Sequence, residues 1–383
     1  MNIVVLRLTA IVFCVLAVVA ALDLSSQSRS DGAVRTNTET SGIPAWRPSY
    51  VPPIKHVFVI NIENEGYNKT WPWEGGDAPY LAHTLRKQGA LLDYYYGTAH
   101  NSLPNYIAEI SGQGPNQQTQ GDCQSFTDFA STGTEDPDQA KGSGCVLPAS
   151  VPSLPLELSA KRLSWRGYMQ QIRGACEHPA VGSVDGTQKA TAADNYATRH
   201  DPFMYFHAII DRPAYCKQHV GSLNWLKHDL RHTGWTPNLS FITPDLCDDG
   251  HDAPCADGRP GGLKSVDAWM RVWVPRILAS PAFQKDGMLV ITADESDTED
   301  ATACCGESSS TNSPDPGISG AGGGRIGALV ISRWTKPSTW STTPYNHYSL
   351  LASIEEIFGL KKIGYARTAG LNRFGEDVYS LWR

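Results

Sequence analysis

Two adjacent carboxylates, Asp294 and Glu295, close the apolar run Met288–Ala293. Burying such a pair at a strand end is costly unless something positive stands opposite. A second apolar run, His56–Ile62, ends the same way in Glu63-Asn64. Runs of this length read as central strands of an α/β sheet, buried on both faces. Open α/β sheets hold their ligands outside the carboxyl ends of their strands. Two acidic strand ends therefore point to a metal ion or a phosphate-handling site.

Other segments carry groups of matching chemistry. In His100-Asn-Ser102-Leu-Pro-Asn105 a serine stands at the start of an expected helix. A helix N-terminus offers N–H groups and a favourable dipole to an anion, so Ser102 could attack phosphorus while the amides hold its oxygens. The plainer role for such a serine is a helix cap. Asp248-Asp249-Gly-His251-Asp252 gathers four ionisable groups in five residues, either as part of a site or as a polar turn. Arg199-His200 sets a histidine beside a cation, and Asn346-His347 opens a helix. Gly258–Ser265 looks like a phosphate loop, but Leu263 stands where the motif needs glycine. No G-x-S-x-G or H-E-x-x-H is present, which argues against ordinary lipases and zinc proteases.

The elements that must position these residues follow from periodicity. Strands are expected at 56–62, 89–96, 239–243, 288–293 and 326–332. Helices are expected at 77–88, 104–111, 154–171 and 348–358. A further helix follows the N-cap Ser265, with an apolar stripe at Val266, Trp269, Met270, Trp273 and Ile277 and a kink at Pro275. Residues 112–150 and 296–324 read as long irregular stretches, the first stapled by a disulfide. Strands alternating with helices predict an α/β fold with a largely parallel sheet, and loops of that length usually serve function.

The chain has 383 residues, 41% of them apolar, enough for a large core. A net charge of -7 with no Lys/Arg run lacks the electrostatic footprint of a nucleic-acid binder. Residues 1–21 read as an export signal: Arg7, then an apolar block from Leu8 to Leu22 broken only by Thr9, with small residues at -3 and -1 that permit cleavage near Ala20 or Ala21. The alternative is an uncleaved anchor, since the block is near the lower limit for spanning. Residues 22–54 read as a flexible leader and 55–383 as one domain with no further membrane span. The protein is thus expected to be secreted, or bound to the cell envelope if the signal stays. Beyond Cys14 there are eight cysteines, an even number suited to disulfides in an exported chain. Cys176–Cys216 and Cys247–Cys255 are the favoured pairs. A zinc site is the rival reading, with no C-x-x-C to support it.

Taken in order, these segments resemble the bacterial phosphoesterase family of acid phosphatases, phosphatidylinositol-phosphate phosphatases and phospholipases C, within the alkaline-phosphatase-like superfamily. The likeness runs from about His56 to Ala366. It is carried by His56–Asn64, Ser102-Leu-Pro-Asn-Tyr106 with Ser111-Gly112, Tyr196–Phe203, Phe241–Asp245, Asp249-Gly-His-Asp252, Leu289–Glu295 and His347–Leu360. The resemblance implies a largely parallel central sheet flanked by helices, with disulfide-stapled loops over the site. It implies Glu63, Asn64, Asp294 and Glu295 as metal ligands, and Ser102 as nucleophile and further ligand. His100, His200 and His251 would line a phosphate pocket, accompanied by Asp249 and Asp252, with His347 in the closing helix. Oxygen-rich ligands favour calcium, magnesium or manganese over zinc or iron. The expected activity is a phosphomonoesterase working through a phosphoserine, with a phospholipase C or other diesterase as the alternative. The expected substrate is a phosphate ester, with phosphoinositide and phospholipid head groups among the candidates. An imidazolium among the three pocket histidines would favour activity on the acid side of neutrality.

Overall fold

The structure, a computed structural model, describes residues 50–380 apart from 306 and 308. The expected signal at 1–21 and the leader up to residue 49 lie outside the described residues. The chain is already packed at Ile54, which is 3% exposed.

Eight strands form one sheet: β1 (His56–Ile62), β2 (Ala90–Leu92), β3 (Trp165–Met169), β4 (Val220–Ser222), β5 (Leu239–Thr243), β6 (Gly287–Ala293), β7 (Ala328–Ser332) and β8 (Thr339–Ser341). Their order across the sheet is β8-β2-β7-β6-β1-β5-β3-β4. Every strand runs the same way except β7, which is antiparallel to both neighbours. The centre reads as continuous apolar sequence because both faces are covered: β1, β5, β6 and β7 are buried at every position. The longest helices are α1 (Ser102–Ser111), α2 (Gly262–Leu278) and α3 (His347–Ile357). The α/β architecture and largely parallel sheet are as the sequence predicts.

Local differences have identifiable causes. The helix expected over 154–171 stops at Ala160, Arg162 takes a left-handed conformation (φ 59°), and Trp165–Met169 becomes β3. Its Trp, Tyr and Met suit a strand as well as a helix, and pairing with β5 decides between them. Residues 77–88 form a wide helical turn, Tyr80–Leu85, tightening over Arg86–Gln88. The strand expected over 89–96 breaks into β2 and a short pairing of Tyr95–Tyr96 with Tyr345–Asn346. Pro275 does not interrupt α2, which runs on to Leu278.

The eight cysteines form Cys123–Cys145, Cys176–Cys216, Cys247–Cys255 and Cys304–Cys305. Both favoured pairs are present, and a disulfide staples the 112–150 excursion as expected. That excursion also carries a hairpin, Ala130–Glu135 with Gln139–Ser143. With their sulfurs bonded in pairs, the cysteines offer no thiolates for zinc.

Candidate active site

Sheet register brings the two acidic strand ends together. β1 and β6 pair in parallel up to Ile62 opposite Ala293, and the Asp294 N–H donates to the Ile62 carbonyl at 3.0 Å. The next residue on each strand, Glu63 and Asp294, must then lie side by side. Asn64 turns the chain sharply with φ 53°, which aims its N–H at Asp294 Oδ1, 3.0 Å away. From the β5 side, the Asp249 carbonyl accepts the Glu63 N–H at 2.8 Å. Two strand ends and the loop that follows β5 thus converge on one point at the carboxyl edge of the sheet.

Ser102 enters from α1. Its Oγ donates to Glu63 Oε2 at 2.7 Å. One helical turn on, the Tyr106 hydroxyl donates to the other oxygen, Oε1. Asn105 fixes the approach: its Oδ1 accepts the N–H groups of Thr98 and Ala99 at 2.8 and 3.0 Å, and its Nδ2 donates to the Ala99 and Asn101 carbonyls. The loop that carries His100 and Ser102 is therefore laced to the helix by one buried amide. The helix end offers less to an anion than the sequence suggests, because Asp122 Oδ1 already accepts the Leu103 N–H at 3.0 Å.

His200 closes the cluster. Its Nε2 lies 3.4 Å from Glu63 Oε2, its Nδ1 lies 3.0 Å from Asp249 Oδ2, and its ring stacks on Tyr106 at 5.3 Å between centroids. His251 sits one layer outward. Its N–H donates to Asp249 Oδ1 at 2.9 Å, its Nδ1 meets Asp252 Oδ1 at 2.8 Å, and Arg199 Nη2 donates to its Nε2 at 3.0 Å. An Arg donor on Nε2 leaves the ring proton on Nδ1, which donates to Asp252.

Glu295 pairs with His100 Nδ1, while His100 Nε2 meets the Asp300 carbonyl at 3.2 Å. His347, the first residue of α3, reaches the Asp294 carbonyl through Nε2 at 2.6 Å and Glu109 through Nδ1 at 3.0 Å. The structure therefore gathers Glu63, Ser102, His200, Asp249 and Asp294 at one point, with Asn64 contributing its backbone. It places His251 and Asp252 outside them, and sets Glu295 with His100 as a flanking pair.

The electrostatics are one-sided. Burial, then the charges of Asp294 and Asp249, push Glu63 well above the usual carboxylate range. Burial pushes Asp294 up to about 7 and Asp249 well up also. Burial, followed by Arg199, holds His200 well below the ordinary imidazole range and lowers His251 too. This runs against the imidazolium expected at those positions. His347 goes the other way: burial lowers it, but Glu109 and the Asp294 carbonyl outweigh that and raise it.

Three features fit a divalent cation at this point. Glu63, His200 and Asp249 present ligand atoms within 4.8 Å of one another. Asp294 Oδ2 and His200 Nε2 are buried polar atoms without a hydrogen-bond partner. Carboxylate oxygens with one imidazole form a donor set for a hard or borderline ion. Sequence reasoning gives no role to Tyr106, Asp122, Glu109 or Arg199. Tyr106 was within reach, since it stands four residues from Ser102 on the same helix face. The others act across distances that no local pattern records.

A serine-bearing helix end set against the acidic ends of a parallel sheet is the frame of this site, and comparison with known proteins gives its family. The Phosphoesterase family model matches residues 64–361, and the chain belongs to that family. It is 25% identical to phosphatidylinositol-3-phosphatase of Mycobacterium tuberculosis, over 94% of this chain and 92% of that one. It is 24% identical to an acid phosphatase of Aspergillus fumigatus, over 80% of this chain, and spans 58% of that longer protein. With a phosphate-repressible acid phosphatase of Penicillium chrysogenum it shares 23% identity over 91% of this chain and 71% of the relative. Among solved structures, an alkaline phosphatase superfamily protein from Vibrio parahaemolyticus superposes with a TM-score of 0.49 at 13% identity, covering 86% of this chain and 73% of that one.

Proposed function

We propose that this chain is an exported, metal-dependent phosphomonoesterase that uses Ser102 as its nucleophile. One observation carries the reading: Ser102 Oγ donates to a buried carboxylate inside a cluster with surplus negative charge. A serine that served only as a cap would face backbone N–H groups instead.

Glu63, Asp294, Ser102, Asp249 and His200 would hold the cation, which would supply positive charge to the phosphoryl group. Glu63 orients Ser102 Oγ and accepts its proton as the oxygen attacks phosphorus. The ester P–O bond breaks, the alcohol departs with a proton from the site, and a phosphoserine remains. Water then attacks phosphorus, its proton replacing the one lost to the alcohol; the Ser102–P bond breaks as Glu63 returns the proton to Ser102 Oγ, and inorganic phosphate leaves. Tyr106 holds Glu63 in place through its second oxygen, and Asp249 fixes the orientation of His200. The mycobacterial relative's name puts phosphatidylinositol phosphates first among candidate substrates. Four disulfides suit an oxidising compartment and support export.

Ser102→Ala is expected to lower phosphate release on the order of 10³-fold. An acid-quenched reaction of the wild type should carry one added phosphoryl group on the peptide containing residue 102. Near-full turnover by the variant removes the covalent step. Faster release from the choline diester of p-nitrophenyl phosphate than from the monoester moves the reading to a phosphodiesterase.

A further inference from the structure

At the β8 edge of the sheet two tryptophans stand in water. Trp73 is 74% exposed and Trp340 59%. They flank a cavity of about 340 Å³ whose remaining lining is Ala82, His83, Arg86, Lys87, Ser338 and Thr339. The feature is built rather than frayed. Arg86 lies over the Trp73 ring at 4.0 Å, and His83 Nε2 meets the Gly75 carbonyl at 2.8 Å, tying the Trp73 loop to the helical turn below it. Ser338 Oγ donates to the Lys87 carbonyl at 3.2 Å, holding the Trp340 strand against the same turn.

The charge of this lining is unlike that of the whole chain. The protein carries -7, yet the cavity is lined by Arg86, Lys87 and His83 with no carboxylate and no side-chain amide. A sugar platform pairs its aromatic rings with such acids and amides to read hydroxyl groups. Indole rings beside long basic side chains suit another environment, the boundary between lipid head groups and acyl chains. There the ring sits at head-group depth while the ammonium or guanidinium reaches anionic phosphate. We propose that this edge is a docking surface for an anionic lipid bilayer, seated by Trp73 and Trp340 and attracted by Arg86 and Lys87. The inference goes beyond the phosphatase chemistry and does not depend on it, since none of these residues touches the acidic cluster.

The test uses the full chain with vesicles of phosphatidylcholine and phosphatidylserine whose acyl chains carry bromine, which quenches only tryptophans that enter the bilayer. The apolar amino-terminal block, residues 8–22, contains no tryptophan, so association through it alone adds no quenching there. The wild type should be quenched by anionic vesicles and at least threefold less by pure phosphatidylcholine, with the effect falling as salt rises. Trp73→Ala/Trp340→Ala should lose most of that quenching, and Arg86→Glu/Lys87→Glu should lose it at low salt. Trp73, Lys87 and Trp340 are exposed and Arg86 is half-buried, and hydrolysis of soluble p-nitrophenyl phosphate should stay within twofold of wild type. Equal quenching in the double tryptophan variant, or equal quenching by neutral vesicles, overturns the proposal. So does a lipid-free dimer in sedimentation that the tryptophan variant abolishes, which would give the patch to a second copy of the chain.

Discussion

Asp294 illustrates how an expensive residue can be kept. Burial raises its carboxyl to about 7, and its Oδ2 has no partner. Such a group lowers stability unless a cation offsets its charge. Asp294→Asn should therefore separate folding from function. Phosphate release should fall on the order of 10²-fold or more, and become insensitive to EDTA, while the melting temperature of the metal-free protein at pH 8 holds or rises. A melting temperature that drops in the metal-free variant would mean that Asp294 is a structural group. Chelation of the wild type should abolish turnover, with recovery on adding back a single divalent metal.

Elements hold these residues in place, and here two buried side chains make distinct forecasts. Asn105→Ala leaves the N–H groups of Thr98 and Ala99 and the carbonyl of Asn101 without their partner. The expected loss in a urea titration is about 2–4 kcal/mol, together with a lower kcat, since the same loop bears Ser102. Asp201, next to His200, is pushed up to about 8 by burial alone, and only the Tyr196 hydroxyl and a backbone N–H work against that. Its acid is protonated in both folded and unfolded states below pH 4. As pH rises from there to 8 the unfolded chain ionises while the folded one keeps its proton, so stability drains away across that window. Asp201→Asn should remove the dependence and gain on wild type by up to about 1.4 kcal/mol per pH unit over that range. Thermal unfolding at pH 5, 7 and 9 would show it; parallel curves for the two proteins would refute it. The strand ends at Glu63 and Asp294 were readable because long apolar runs with acidic stops have few explanations. The stretch 154–171 was not, because its short apolar groups fit either period until β5 is there to pair with. Likewise His200 could be noticed in sequence, but its place between Glu63 and Asp249 depends on chain segments far on either side of it.

At the scale of the molecule, covalent staples hold the long connections. Cys176–Cys216 closes a loop of 40 residues, and opening it by Cys176→Ser/Cys216→Ser should cost about 4 kcal/mol in the chain-entropy account. Equilibrium unfolding with and without the bond measures this. An unchanged midpoint would show that the native contacts alone hold this segment. The sheet itself imposes a schedule on the chain. β1 is among the first strands synthesised, yet the neighbours that flank it, β5 and β6, begin at Leu239 and Gly287. Until those arrive, an apolar strand ending in an acidic residue waits with both edges open, a state prone to wrong pairing. A ribosome-bound fragment ending before Gly287 would thus have its serine but only part of its acidic cluster, and activity should appear only once the last quarter of the polypeptide has emerged.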